Sequence, residues 1–176
     1  MKKILAIVGS PRKGGNSELL VDEFIKGAQK KGHTVEKVCL REKEIAPCLA
    51  CEACLRNGGT CVQKDDMAAI LDKIIAADAI VLSTPVYYYS VCAQLKTMID
   101  RTLAGGGKMK NKAFYFIVTA ADSPGAMERT MNDLQGFVDC VPGSVVRGRV
   151  YGQAFAAGEI QSKPAMREAY ELGRQC

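Results

Sequence analysis

Five times along this chain a short, continuous apolar run gives way to a segment whose apolar residues recur at helical spacing. The runs are Ile4 to Val8, Thr34 to Leu40, Ala79 to Ser83, Ala113 to Thr119 and Ser144 to Tyr151. The first intervening helix spans Asn16 to Lys31, with Leu20, Phe24 and Ala28 on its face and Gly32 as its stop. Met67, Ile70, Leu71, Ile74 and Ile75 mark a second, capped by Asp65 or Asp66, and Val91, Leu95, Met98 and Ile99 a third that stops at Gly105 to Gly107. Ser123 and Pro124 open a fourth, carrying Met127, Met131, Leu134 and Val138, and Pro164 to Gln175 forms the last. Strands apolar throughout are covered on both faces. Alternation with helices therefore predicts an α/β fold, a five-stranded parallel sheet between two helical layers. The expected strand order is 2-1-3-4-5, with ligand at the carboxyl edge where strands 1 and 3 meet.

The loop after the first strand, Gly9-Ser-Pro-Arg-Lys-Gly-Gly-Asn16-Ser17, opens the first helix. Free N–H groups at a helix start make an anion site, and Ser10, Arg12 and Ser17 add donors beside the expected cap Asn16. Gly15 and Asn16 stand where a triphosphate-binding loop carries Lys and Ser or Thr, and Ser10 and Pro11 break the dinucleotide fingerprint. A single phosphomonoester such as that of FMN fits what remains. The loop after the third strand, Thr84 to Ser90, leaves the same edge and carries three tyrosines that cannot all enter a core. Pro85, Val86, Tyr87, Tyr88, Tyr89 and Ser90 are the expected partners of a flat flavin ring, with Ala120 and Asp122 of the next loop completing the pocket.

Cys48, Cys51 and Cys54 stand in C-x-x-C-x-x-C spacing, and six residues later comes Cys61. Four thiols in one loop suit a [4Fe–4S] cluster, the last arriving through Gly58 and Gly59. The last gap is longer than in bacterial ferredoxins, and Val62 stands in place of their proline. Zinc is the competing metal, although its paired knuckles are usually farther apart. Cys39 and Cys140 read as core or boundary residues, and Cys92, near the tyrosine loop, as packing. The sole histidine, His33, reads as a turn residue.

With 176 residues, 48% hydrophobic and 24% charged, the expectation is one domain over 1–176 with a cysteine-rich loop at 45–65. The net charge of +5 is scattered in runs no longer than two, which argues against a nucleic-acid partner. No apolar stretch approaches a membrane span and the start carries no signal-peptide pattern, so a cytoplasmic location is expected. There, clustered thiols point to metal or redox chemistry rather than disulfides.

The stretches GSPRKGGNS, IAPCLACEACLRNGGTCVQKDDM and STPVYYYSVCAQLKTMIDR, with the closing AMREAYELGRQ, resemble the NAD(P)H-dependent FMN reductase-like flavoproteins, in particular their iron–sulfur flavoprotein branch. The resemblance implies a flavodoxin-like three-layer sandwich. It also implies an FMN phosphate held by Ser10, Arg12, Asn16 and Ser17, the isoalloxazine at Pro85 to Ser90, and a cluster on Cys48, Cys51, Cys54 and Cys61. Lys96, Asp100 and Arg101 match a recurring helix motif of these proteins. The resemblance further implies NAD(P)H or reduced ferredoxin as donor and assembly as a homodimer or homotetramer. Two alternatives remain: a cluster-free NAD(P)H-dependent FMN or quinone reductase, and a non-catalytic electron carrier or metal-binding interaction module.

Overall fold

In the first strand, β1 (Lys3–Val8), every residue after Lys3 is buried. Side chains of a strand alternate between faces. Ile4, Ala6 and Val8 accordingly join one apolar core, and Leu5 and Ile7 the other. The computed structural model, which describes residues 1–176, pairs β1 in parallel with β2 (Thr34–Cys39) on one side and β3 (Ala79–Tyr87) on the other. Beyond β3 lie β5 (Ala113–Ala120) and β6 (Val145–Gln153), also parallel, giving the order β2-β1-β3-β5-β6.

One face of this sheet is covered by α1 (Asn16–Lys30) and α6 (Ala165–Arg174). The other is covered by α3 (Met67–Ala76), α4 (Ala93–Arg101) and α5 (Pro124–Asp139), with a single-turn α2 (Ala53–Arg56) in the cysteine loop. The helical periodicities match the buried faces: Leu20, Val21, Phe24 and Ala28 from α1, and Met127, Met131, Leu134 and Val138 from α5. This is the expected flavodoxin-like three-layer sandwich. No helix is long and apolar enough to cross a membrane.

Two corrections concern the third strand. It runs on to Tyr87, through residues expected to form a loop, and turns back into a sixth, two-residue strand, β4 (Ser90–Val91), paired antiparallel with it. Pro85 is tolerated in β3 because β1 has ended at the level of Ser83, so no strand on that side awaits a donor from it. Val91 consequently belongs to β4, and α4 begins only at Ala93.

Two helices approach closely where α1 crosses α6. A Cβ on Gly27 would lie 2.1 Å from the Tyr170 carbonyl oxygen, and one on Gly173 would lie 2.1 Å from that of Phe24. Gly173→Ala is therefore expected to destabilise the protein by about 1–3 kcal/mol through overpacking. The check is a lower denaturant midpoint with an unchanged m-value.

Candidate functional site

At the end of β1 the chain stays close against β3. The Gly9 N–H donates to the Ser83 carbonyl at 2.8 Å, and a Cβ on Gly9 would stand 2.9 Å from that oxygen and from Cys92 Sγ. Cys92 is fully buried, its Sγ donating to the Gly9 carbonyl at 3.1 Å, in keeping with packing. The chain then bends so that the Ser10 hydroxyl accepts the Arg12 N–H at 3.2 Å. The N-cap position falls on Gly15, not Asn16, and carries no side-chain cap. The N–H groups of Asn16, Ser17 and Glu18 therefore have no acceptor in the chain. A Cβ on Gly15 would stand 3.2 Å from Ser10 Oγ and 3.3 Å from the Arg12 carbonyl, a tight fit that glycine avoids.

Asn16 is committed elsewhere. Its Oδ1 accepts the N–H groups of Gly158 and Ile160 at 3.0 and 3.4 Å, and its Nδ2 donates to the Ala156 carbonyl at 2.9 Å. It thereby folds the loop after β6 back over the helix start. The expected cap is corrected to a tether, and only its main-chain N–H remains for an anion.

These elements enclose a cleft of about 200 Å³ at the carboxyl edge of the sheet. Ser10, Arg12, Gly15, Asn16 and Ser17 line one end, Pro85, Val86 and Tyr87 the floor, and Thr119 to Ala121 with Ala154, Phe155 and Ala157 the rest. The site thus unites eight expected residues: Ser10, Arg12, Asn16, Ser17, Pro85, Val86, Tyr87 and Ala120. Four others lie outside the cleft. Tyr88 and Tyr89 form the two-residue turn between β3 and β4, with φ of 50° and 62°, and Tyr88 is wholly exposed. The Arg129 guanidinium stacks on the Tyr89 ring at 5.1 Å, and the Ser90 hydroxyl donates to Asp133 at 2.7 Å, so this hairpin leans on α5. Asp122 instead accepts the N–H of Ser123 at the start of α5. The residues the sequence did not reveal are Thr119 at the end of β5 and Ala154, Phe155 and Ala157, the last three with no polar chemistry to announce them. Their one signal was that they follow a strand leaving by the same edge.

Beneath the cradle lies a carboxylate absent from the expectations. Glu18, 6% exposed, accepts the Gly14 N–H at 2.8 Å and both Nη atoms of Arg41, at 2.9 and 3.2 Å, with Lys37 at 3.4 Å. These cations offset a negative charge that would otherwise repel an anion above it. Burial pushes the Glu18 carboxyl up, but the Arg41 and Gly14 hydrogen bonds with the Arg41 and Lys37 charges outweigh it and hold the group below its ordinary value.

The cysteine loop is pinned at its base. The N–H of Glu44 donates to the Asp66 carboxylate at 2.9 Å, and the Asp66 N–H returns to the Glu44 carbonyl at 3.0 Å. Cys54 and Cys61 are partly buried and pack against the core, whereas Cys48 and Cys51 are exposed. No three metal-ligating side chains converge in this arrangement. The donor set nevertheless suits an iron–sulfur cluster: four free thiols on one loop, and a buried guanidinium, Arg101, with Nη2 3.5 Å from Cys61 Sγ and an unpartnered Nε–H. Among the other cysteines, Cys39 is buried as expected, but Cys140 is exposed at the end of α5.

Residues 2–157 match the NADPH-dependent FMN reductase family. This chain belongs to that family. Within it, the chain is 37% identical over 137 residues to an iron–sulfur flavoprotein of Methanocaldococcus jannaschii, a match covering 77% of this chain and 70% of that protein. It is 34% identical over 171 residues to one of Archaeoglobus fulgidus, covering 94% and 84%. The branch is therefore the iron–sulfur flavoproteins. An azoreductase of Bacillus anthracis str. Sterne superposes over 100% of both chains with a TM-score of 0.79 at 17% identity, which shares the fold. As a member of this FMN reductase family, the protein is an FMN-containing oxidoreductase.

The Glu18 network gives the family member an acid-labile element. A carboxylate whose folded pKa is depressed stabilises the fold above its unfolded pKa, and that contribution is lost as pH falls through the folded value. Thermal melting of the wild type is expected to weaken below the ordinary glutamate value of 4.5. Glu18→Gln should start from a lower Tm at neutral pH and show a shallower acid limb.

Proposed function

We propose that this protein is an electron-transfer flavoprotein that takes electrons from NAD(P)H or reduced ferredoxin and passes them through FMN and a [4Fe–4S] cluster to a small acceptor. The observation that carries this reading is the uncapped start of α1 opening into the cleft floored by the end of β3. Unpaired N–H groups at a helix N-terminus favour an anion electrostatically. Ser10, Arg12 and Ser17, with the main-chain N–H of Asn16, grip the phosphate of FMN, and Glu18 stays paired with Arg41 so that it does not oppose that charge. Pro85, Val86, Tyr87 and Ala120 face the flavin ring and exclude water from one side of it.

When bound, FMN supplies two-electron acceptance with one-electron release, and the cluster on Cys48, Cys51, Cys54 and Cys61 supplies a one-electron relay. No carboxylate, histidine, thiol or lysine lines the cleft, and the protein contributes orientation and tuning of potentials. The whole chain acts as one FMN-binding domain carrying the cluster loop. A cleft of about 200 Å³ is smaller than cofactor pockets usually are, about 300–1,000 Å³. Exposed Tyr88 and Phe155 near the cleft, with Leu49 and Leu55 of the cysteine loop, are surface suited to burial in a homodimer or homotetramer. We place this assembly in the cytoplasm, where the thiols stay reduced.

Because no three of these thiols converge in this structure, a cluster-free NAD(P)H-dependent FMN or quinone reductase is the second reading. Anaerobic purification with iron, sulfide and FMN analysis decides between them. Four irons per chain with one FMN are expected, and stoichiometric FMN without iron selects the cluster-free enzyme. Steady-state turnover with NAD(P)H and with reduced ferredoxin then identifies the donor, and failure to turn over with any small acceptor selects a carrier. Arg12→Ala is expected to weaken FMN binding roughly tenfold, as for a lost hydrogen bond to a charged group, while leaving riboflavin affinity unchanged. Fluorescence titration of the apoprotein with the two flavins measures both.

A further inference from the structure

Arg101, near the last turn of α4, has a side chain only 2% exposed, yet none of its contacts is to the cleft. Its Nη1 donates to the Asp65 carboxylate at 2.6 Å and to the Ala46 carbonyl at 2.7 Å. Its Nη2 donates to the second Asp65 oxygen at 3.0 Å and to Cys61 Sγ at 3.5 Å. Asp65 also accepts the N–H groups of Ala46 and Met67, at 3.0 and 3.1 Å. One buried guanidinium thus clasps both ends of the cysteine loop and reaches a thiol. Its fifth donor, Nε–H, is buried and has no partner.

Three of these facts exceed what closing a loop requires. The Asp65 carboxylate already joins the two ends without Arg101, through the N–H groups of Ala46 and Met67. The contact to Cys61 adds nothing to that closure. An unpaired N–H on a buried cation is unfavourable unless a further acceptor arrives. Planar, five-donor geometry is what separates arginine from lysine at such a position.

We infer that Arg101 is the positioning residue of the iron–sulfur site, seating Cys61 for ligation and donating a hydrogen bond to its sulfur. This rests on the cluster reading above. A hydrogen bond from a cation to a ligating sulfur draws off negative charge, which favours the reduced cluster and raises its potential. The same bond keeps Cys61 anchored on the core while Cys48 and Cys51 close in from the exposed part of the loop.

The test compares wild type, Arg101→Lys and Asp65→Asn, each purified anaerobically, reconstituted with iron and sulfide, and checked for fold by circular dichroism and for FMN content. Arg101→Lys keeps the charge but not the fork. It is expected to retain FMN, to lose its cluster to a chelator about 10–100-fold faster, and to show a midpoint potential shifted negative in an EPR-monitored titration. Asp65→Asn loosens the same clasp while leaving the guanidinium beside Cys61, and removes a negative charge near the cluster. Its potential should stay or move positive. Potentials moving together in both variants would mean that Arg101 only closes the loop, and would overturn the inference. Unchanged potential and chelator resistance in Arg101→Lys would overturn it too. Arg101→Lys that loses FMN and native circular dichroism together would also overturn it, since Arg101 would then be a folding residue. A wild type that takes up no iron overturns the cluster reading itself, and this inference with it.

Discussion

The contact between the end of β1 and β3 is the constraint on which the site depends. β1 can approach β3 at Gly9 only because no side chain intervenes, and β3 then runs four residues farther, from Thr84 to Tyr87. That stagger leaves a step at the carboxyl edge of the sheet. The overhanging part of β3 is its floor, the loop from Ser10 to Gly15 is its end wall, and the start of α1 is aimed into it. A bulkier residue at Gly9 would push β1 away from β3 or displace Cys92 and Leu95, and the step would lose its shape.

Around this step the charged residues are arranged so that the helix dipole acts unopposed. Glu18 lies in the first turn of α1 and would carry a negative charge into an anion site were it unpaired. Arg41 follows β2, and its two Nη atoms hold that carboxylate from the neighbouring edge of the sheet. The chain continues from Arg41 into the cysteine loop. A single short segment therefore links the floor of the anion cradle to the thiols, and at the loop's far end Asp65 and Arg101 close it onto α4. In both places a buried or half-buried ion pair fixes a direction rather than supplying much stability, since burial of each charge offsets a large part of the attraction.

The apolar pattern carried the architecture because a sheet covered on both faces demands unbroken apolar strands, and amphipathic helices follow from the same demand. Its failures were local. Thr84 to Tyr87 read as loop because they follow the continuous apolar run and lead into a run of tyrosines, but pairing to β5 continued through Thr84 and Pro85, and Val86 and Tyr87 paired with β4. Asn16 read as a cap because its side chain suits one, but an acceptor role toward Gly158 and Ile160 took it. Tyr88, Tyr89, Ser90 and Asp122 read as pocket residues because they share a sheet edge with the cradle, which fixes proximity but not the direction in which a tight turn points its side chains.

What the sequence determined alone was periodicity and donor chemistry. It set the five alternations, the glycine-rich strand-to-helix loop and the four thiols at fixed spacing, because each depends on neighbours in the chain. What only the tertiary structure decided were the partners across long separations: Glu18 with Arg41, Asn16 with the loop after β6, and Arg101 with Asp65 and Cys61. A polar side chain has many possible partners of equal chemistry. Packing the two helical layers against the sheet brings one of them within hydrogen-bond distance, and local patterning carries no record of which.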